Sequence, residues 1–212
     1  MKKSLLVGLL SLAVTAVSSY GQGIITLDNY LSNGGAGGPN FITYGAGVPI
    51  NGASGATGSG GIQAGWTVGF YWAAGNQLAN VTTDGSGIAI PTGGGLTLAT
   101  GSGSTAASAP FGTAGTYLGS ATYTTPGVAT GGTITVDVIA YDTADGSYAN
   151  AAFRGHSGAF LMTVADPTGA PNKTGDAPMP GFSVLPVPEP SIFALSGLGA
   201  AALMLIRRKK LA

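Results

Sequence analysis

The chain reads as an all-β protein, with two antiparallel sheets packed as a β-sandwich, on three observations. Apolar and polar residues alternate at period two in several short runs. Gly, Asn, Asp and Pro punctuate the stretches between those runs. Residues 22–185 hold no apolar stripe of period 3.6 long enough for a substantial helix. The connection lengths suit a jelly-roll or an immunoglobulin-like topology without choosing between them. A Gly-rich parallel β-helix is the alternative, and it lacks the steady repeat it would need.

The elements follow in chain order. Lys2 and Lys3, then an apolar run from Leu5 to Val17, then small residues at Ser19 and Gly21 have the three zones of a secretory signal. Cleavage after Gly21 is expected, with a site near Ala16 as the rival. Ile25, Leu27 and Leu31 opposite Thr26, Asp28 and Tyr30 open the first strand. A short extended piece follows at Phe41–Tyr44. Trp66, Val68, Phe70 and Trp72 line one side of the next strand, with Thr67, Gly69 and Tyr71 on the other. Further short pieces are expected at Ile88–Ile90 and Leu96–Thr100, and a longer strand over Thr116–Thr124. The strongest alternation runs from Thr133 to Tyr141, with Ile134, Val136, Val138 and Ala140 on one face and Thr133, Thr135 and Asp137 on the other. Phe160, Met162 and Val164 form one more row, and Phe182–Leu185 closes the domain. Residues 22–186 thus form one β domain of ordinary size.

Composition excludes several functions. Charged residues are 8% of the chain, against a usual ~25%. Across residues 22–186, seven Asp face only Arg154 and Lys173, a net charge of about −5 that disfavours nucleic acid or acidic surfaces. The absence of Cys removes disulfides and thiolate chemistry. His156 is the sole histidine, so no histidine-based metal cluster can form. A Ser-His-Asp site could be built on it, but no Gly-x-Ser-x-Gly elbow precedes a helix, and a strand-end histidine is the plainer reading. Asp137, alternating with Val136 and Val138, is the one strand carboxylate of interest, and a solvated sheet face explains it. Asp142 and Asp145 beside Gly146 invite a weak Ca²⁺ site, although the full ligand series of a calcium loop is missing and a β-turn suffices. No other cofactor is expected. Trp66, Tyr71 and Trp72 are the candidates for stacking on sugar rings, with burial in the core as the bland alternative for the indoles.

The last 26 residues are patterned differently. Pro188-Glu189-Pro190 precedes an uncharged apolar stretch, residues 192–206, and Arg207, Arg208, Lys209 and Lys210 follow at once. A helix over residues 192–206 would span about 22 Å, short against a hydrocarbon core of ~30 Å but open to extension by snorkelling. The basic cluster would stop transfer and stay cytoplasmic, leaving the β domain on the far side of the membrane.

This arrangement resembles the PEP-CTERM sorting signal of Gram-negative bacteria. The resemblance covers residues 187–211 and implies an exported protein, held by the transmembrane helix and then processed by an exosortase-type transpeptidase. Signal peptidase and the secretion machinery would be its other partners, and exopolysaccharide matrix or the cell surface its destination. The whole layout is also similar to secreted proteins of Verrucomicrobia-type bacteria, a looser resemblance that brings no activity with it. The resulting expectation is a non-catalytic surface or matrix protein, with a carbohydrate-binding module, aided by calcium, as the alternative.

Overall fold

The computed structural model describes residues 22–29, 41–50, 58, 60–83, 86–99, 107–109, 114–176 and 179–188. The signal segment 1–21 and the helix expected at 192–206 lie outside them. In chain order the strands are β1 (Gly23–Asp28), β2 (Ile42–Tyr44), β3 (Trp66–Ala74), β4 (Val81–Thr82), β5 (Thr92–Gly93), β6 (Thr97–Leu98) and β7 (Ala107–Ala109). They continue with β8 (Leu118–Thr125), β9 (Thr133–Asp142), β10 (Phe153–His156), β11 (Phe160–Thr163), β12 (Asn172–Lys173) and β13 (Phe182–Pro186). The only helical pieces among the described residues are three-residue 3-10 turns. The chain is all-β.

Its centre is the pairing of β3 with β9. Both are rich in β-branched and aromatic residues, which fit a pleated surface. They run antiparallel in unbroken register from Trp66 opposite Asp142 to Ala74 opposite Ile134. Outward from this pair the large sheet runs β2-β13-β10-β9-β3-β6, with β11 also on β9 and β7 also on β3. A smaller sheet, β12-β1-β8, and the β4-β5 hairpin complete the described pairing. The small sheet faces the apolar side of the large one. Tyr123 of β8 packs edge-on against Phe70 and Trp72 of β3, with ring centroids 5.2 and 5.6 Å apart. Ile25 and Leu27 of β1 join the same core as Trp66, Val68, Ile134, Val136, Val138, Phe160 and Met162. Each large side chain so buried contributes roughly 1.5–3 kcal/mol.

The sequence reading needs four corrections. Two pairs, β1 with β12 and β2 with β13, are parallel, so the sheets are mixed rather than wholly antiparallel. The dominant antiparallel pairing of β3 with β9 is incompatible with a parallel β-helix. No strand forms at 88–90, because its carbonyls serve side chains: Ile88 O accepts from Arg154 Nε at 2.8 Å and Ala89 O from Tyr148 Oη at 3.3 Å. The fourth concerns the second face of β9, which is exposed at Thr133 but covered beyond it. Thr135 and Asp137 are both 0% exposed, because the chain after β3 folds back over them. Thr135 Oγ1 donates to Gly75 O and accepts the Gln77 amide, each at 2.8 Å.

A second buried polar set ties the C-terminal part of the domain to β1. Thr174 Oγ1 accepts the Asp28 amide at 3.1 Å and lies 2.9 Å from the Tyr117 hydroxyl, which also reaches Met179 Sδ at 3.0 Å. Asn29 Oδ1 accepts the Tyr117 amide at 2.6 Å. Burial holds the Tyr117 phenol far above the ordinary tyrosine range; the Thr174 hydrogen bond works against that rise and the nearby Asp28 adds to it.

Two expectations follow. Val136→Ala should cost about 2–4 kcal/mol through lost burial and a cavity. Thr135→Ala should cost about 0.5–1.5 kcal/mol, since it removes the partner of the part-buried Gln77 amide and Gly75 carbonyl. Urea unfolding compares them, and a Thr135→Ala loss within ~0.5 kcal/mol would mean that this face is wet. The second expectation concerns alkali. The folded state holds the Tyr117 proton more tightly than the unfolded chain, whose phenols ionise near ~10. That contribution is intact below pH ~10 and is lost as pH rises beyond it. Tyr117→Phe should therefore lower the neutral-pH melting temperature yet flatten its fall above pH ~10.

Candidate functional site

The cluster that brings an Asp, a His and a Ser together lies where β10 gives way to β11. His156 stands opposite Ile139, and Phe160 opposite Val136. Three residues on one strand therefore oppose two on β9, Asp137 and Val138, which makes a β-bulge. Gly158, with φ +75°, takes the left-handed conformation at its centre. The extra residue switches parity. Phe160 and Met162 enter the core, while Arg154 and His156 sit on the opposite face with Asp137, Ile139 and Tyr141.

Side chains replace the ladder bonds that the bulge interrupts. Ser157 N–H still donates to Val138 O at 2.8 Å, but Val138 N–H donates to the Ser157 hydroxyl at 3.0 Å. That hydroxyl lies 2.8 Å from Gly158 O and 3.3 Å from Asp137 Oδ1, with one proton to give. His156 Nδ1 lies 3.3 Å from Asp137 Oδ2 and accepts the Gly158 amide at 3.1 Å. Asp137 is 0% and His156 5% exposed, and His156 Nε2 has no hydrogen-bond partner among the described residues. The segment 86–90 covers this face, with Gly87 O accepting the His156 amide at 2.9 Å. Alongside, Arg154 is held by Ile88 O, Tyr148 O and Ala149 O, with its guanidinium 5.2 Å above the Tyr148 ring.

Asp, His and Ser thus meet, but not as a nucleophilic relay. Such a relay needs the serine hydroxyl bonded to the imidazole and open to substrate. Here the hydroxyl bonds to the carboxylate and the backbone, inside the sheet. The alternation did not reveal this cluster: Asp137 was legible as a strand carboxylate and His156 as a strand-end residue, but Ser157 carried no signal of its own.

The other sequence candidates are scattered. Trp66 is 0% and Trp72 9% exposed, both in the core, so neither indole offers a face to a sugar. Tyr71 is half-buried on the opposite face of β3, paired with Asp137. Burial raises its phenol, Arg154 opposes that rise, and Asp137 and Tyr141 add to it. Asp142 Oδ1 caps the following turn by accepting the Ala144 amide at 3.0 Å, and Asp145 Oδ2 accepts the Ala152 amide at 3.0 Å. Both are turn carboxylates already used locally, and no group of three metal-binding side chains occurs among the described residues. Pro188 is exposed at the exit from β13, whereas Glu189, Pro190 and Arg207–Lys210 lie outside the described residues.

That exit decides the functional class. Val187, just past β13, still donates its amide to Ala152 O at 2.8 Å, and the chain leaves the sheet at Pro188. Residues 186–209 match the PEP-CTERM protein-sorting motif. The motif marks an exported protein with a membrane-associated sorting signal handled by exosortase-type machinery. It begins at the last residue of β13, so the fold and the signal adjoin without a spacer. No curated protein and no solved structure matches the chain.

Ser157 is the test of the bulge. Ser157→Ala removes the acceptor of the Val138 amide and a partner of Asp137, both buried. It should lower stability by about 1–3 kcal/mol while Ser147→Ala, in a turn, changes it by less than ~0.5 kcal/mol. Thermal melts of the two variants would show the difference, and equal melting temperatures would deny the hydroxyl its place in the ladder.

Proposed function

We propose that the protein is a non-catalytic component of the cell surface or extracellular matrix, exported as a β-sandwich and sorted through its C-terminal segment. The observation that carries this reading is the sorting-motif match at residues 186–209, directly after the last strand. The N-terminal pattern of Lys2, Lys3 and the apolar run to Val17 supports export through a signal peptide. The burial of Ser157, His156 and Asp137, in an arrangement unfit for nucleophilic attack, supports a structural rather than enzymatic domain. The facing sheets β12-β1-β8 and β2-β13-β10-β9-β3-β6 support the sandwich reading, although the two parallel pairs depart from an all-antiparallel jelly roll or immunoglobulin domain. With both indoles in the core, carbohydrate binding loses the stacking row that suggested it.

In this reading the apolar segment 192–206 holds the chain in the membrane, Arg207–Lys210 stop its transfer, and Pro188-Glu189-Pro190 marks it for processing. Replacing those three residues with Ala should leave unprocessed, membrane-held protein in place of the processed form. Replacing the four basic residues with Ser should weaken retention in carbonate extraction. Intact mass of the fractionated protein reads both outcomes. Normal processing of the Ala variant would remove the sorting reading.

A further inference from the structure

The bulge makes two demands on one atom. His156 Nδ1 lies 3.1 Å from the Gly158 amide that donates to it and 3.3 Å from Asp137 Oδ2. A ring nitrogen has a single site in the ring plane, filled either by a lone pair or by a proton. With a lone pair, Nδ1 accepts the Gly158 N–H and confronts the carboxylate as acceptor against acceptor. With a proton, it donates to Oδ2, and the Gly158 amide loses its acceptor. Both arrangements cannot hold at once.

We propose that His156 and Asp137 form a proton-operated latch on the β10–β11 bulge. A proton taken from solvent at Nδ1 exchanges the Gly158 hydrogen bond for a charge-assisted His156–Asp137 bond. The ring gains one N–H and one positive charge, no other covalent bond changes, and the pair becomes imidazolium with carboxylate. Ser157 accommodates the exchange, because its single hydroxyl proton has two acceptors in reach, Asp137 Oδ1 at 3.3 Å and Gly158 O at 2.8 Å. Imidazolium on Oδ2 directs the hydroxyl to Gly158 O. Among the described residues the titratable and charged groups on this face are Asp137 and Tyr141 of β9, Tyr71 of β3, Arg154 of β10, and Tyr148, whose ring meets Arg154 and Tyr141. The covering residues 86–90 bring none. The latch stands two residues from Arg154, whose partner Leu185 lies on the strand entering the sorting motif.

His156 is the only histidine in the chain, so its ring nitrogens give one unambiguous pair of resonances. The full exported protein, labelled with ¹⁵N, is titrated from pH 8 to pH 5 under conditions where it stays folded. Nδ1 should pass from the lone-pair to the protonated signature. The exchange protection factor of the Gly158 amide should fall about fivefold to tenfold with the same midpoint, the factor one net hydrogen bond supplies. In His156→Gln that protection should be independent of pH. A ring that keeps one protonation state across the range would overturn the proposal. So would a Gly158 amide indifferent to ring protonation, whether or not the Gln variant folds.

Discussion

The register between β3 and β9 is the constraint on which the remaining structure depends. Because side chains alternate at period two, placing Trp66 opposite Asp142 also places Val68, Phe70 and Trp72 on the same face as Val136, Val138 and Ala140. A slip by one residue would put either the indoles outside or Asp137 inside the apolar core. The small sheet can settle only on the apolar face so defined, with Tyr123 meeting Phe70 and Trp72. The opposite face then receives whatever β3, β9 and β10 leave there, including Tyr71, Asp137, Tyr141, Arg154 and His156. The polar cluster is thus a by-product of how the hydrophobic core is aligned.

Covering that second face changes its physics. Groups that are cheap in water become costly once residues 86–90 lie over them, unless each finds a partner. Most do. Arg154 has three carbonyls, Thr135 has an amide and a carbonyl, and Ser157 serves the Val138 amide across the bulge. Trp66 Nε1 is an exception in the core, an indole N–H with no acceptor among the described residues although its ring meets Tyr44 edge-on at 5.8 Å. The apolar contact of that ring outweighs the missing bond, as the large area of an indole allows.

These distinctions set the limit of what the sequence disclosed. The rows Trp66-Val68-Phe70-Trp72 and Ile134-Val136-Val138-Ala140 were legible, because alternation reports which residues share a face. It does not report whether the second face is covered, so Thr135 and Asp137 read as solvated when they are buried. The cover consists of Gly75–Gln77 at Thr135 and of Ser86–Ile90 beside His156 and Arg154, segments with no periodicity whose backbone groups are used by distant side chains. Strand β10 was missed because Phe153-Arg154-Gly155-His156 has one large apolar residue and a glycine. Gly155 is needed there, since a Cβ would come within 2.3 Å of Ser183 O on β13. Extended pairing with β13 requires that approach, and nothing local announces it. The sorting motif was legible for the opposite reason: its information is linear and needs no partner strand.

Strand β13 gives the junction with that motif a mechanical character. It is an interior strand, bonded to β2 on one side and β10 on the other, and Val187 adds a bond to Ala152. An edge strand at this point could be peeled away one hydrogen bond at a time by any force applied to the tail. β13 divides the load along its length, Leu185–Pro186 on β10 and Phe182–Val184 on β2, and its removal splits the sheet and exposes Val184, which is 0% exposed in the fold. Tension at the C-terminus is therefore delivered to the body of the domain, through β10 first and through β2 behind it.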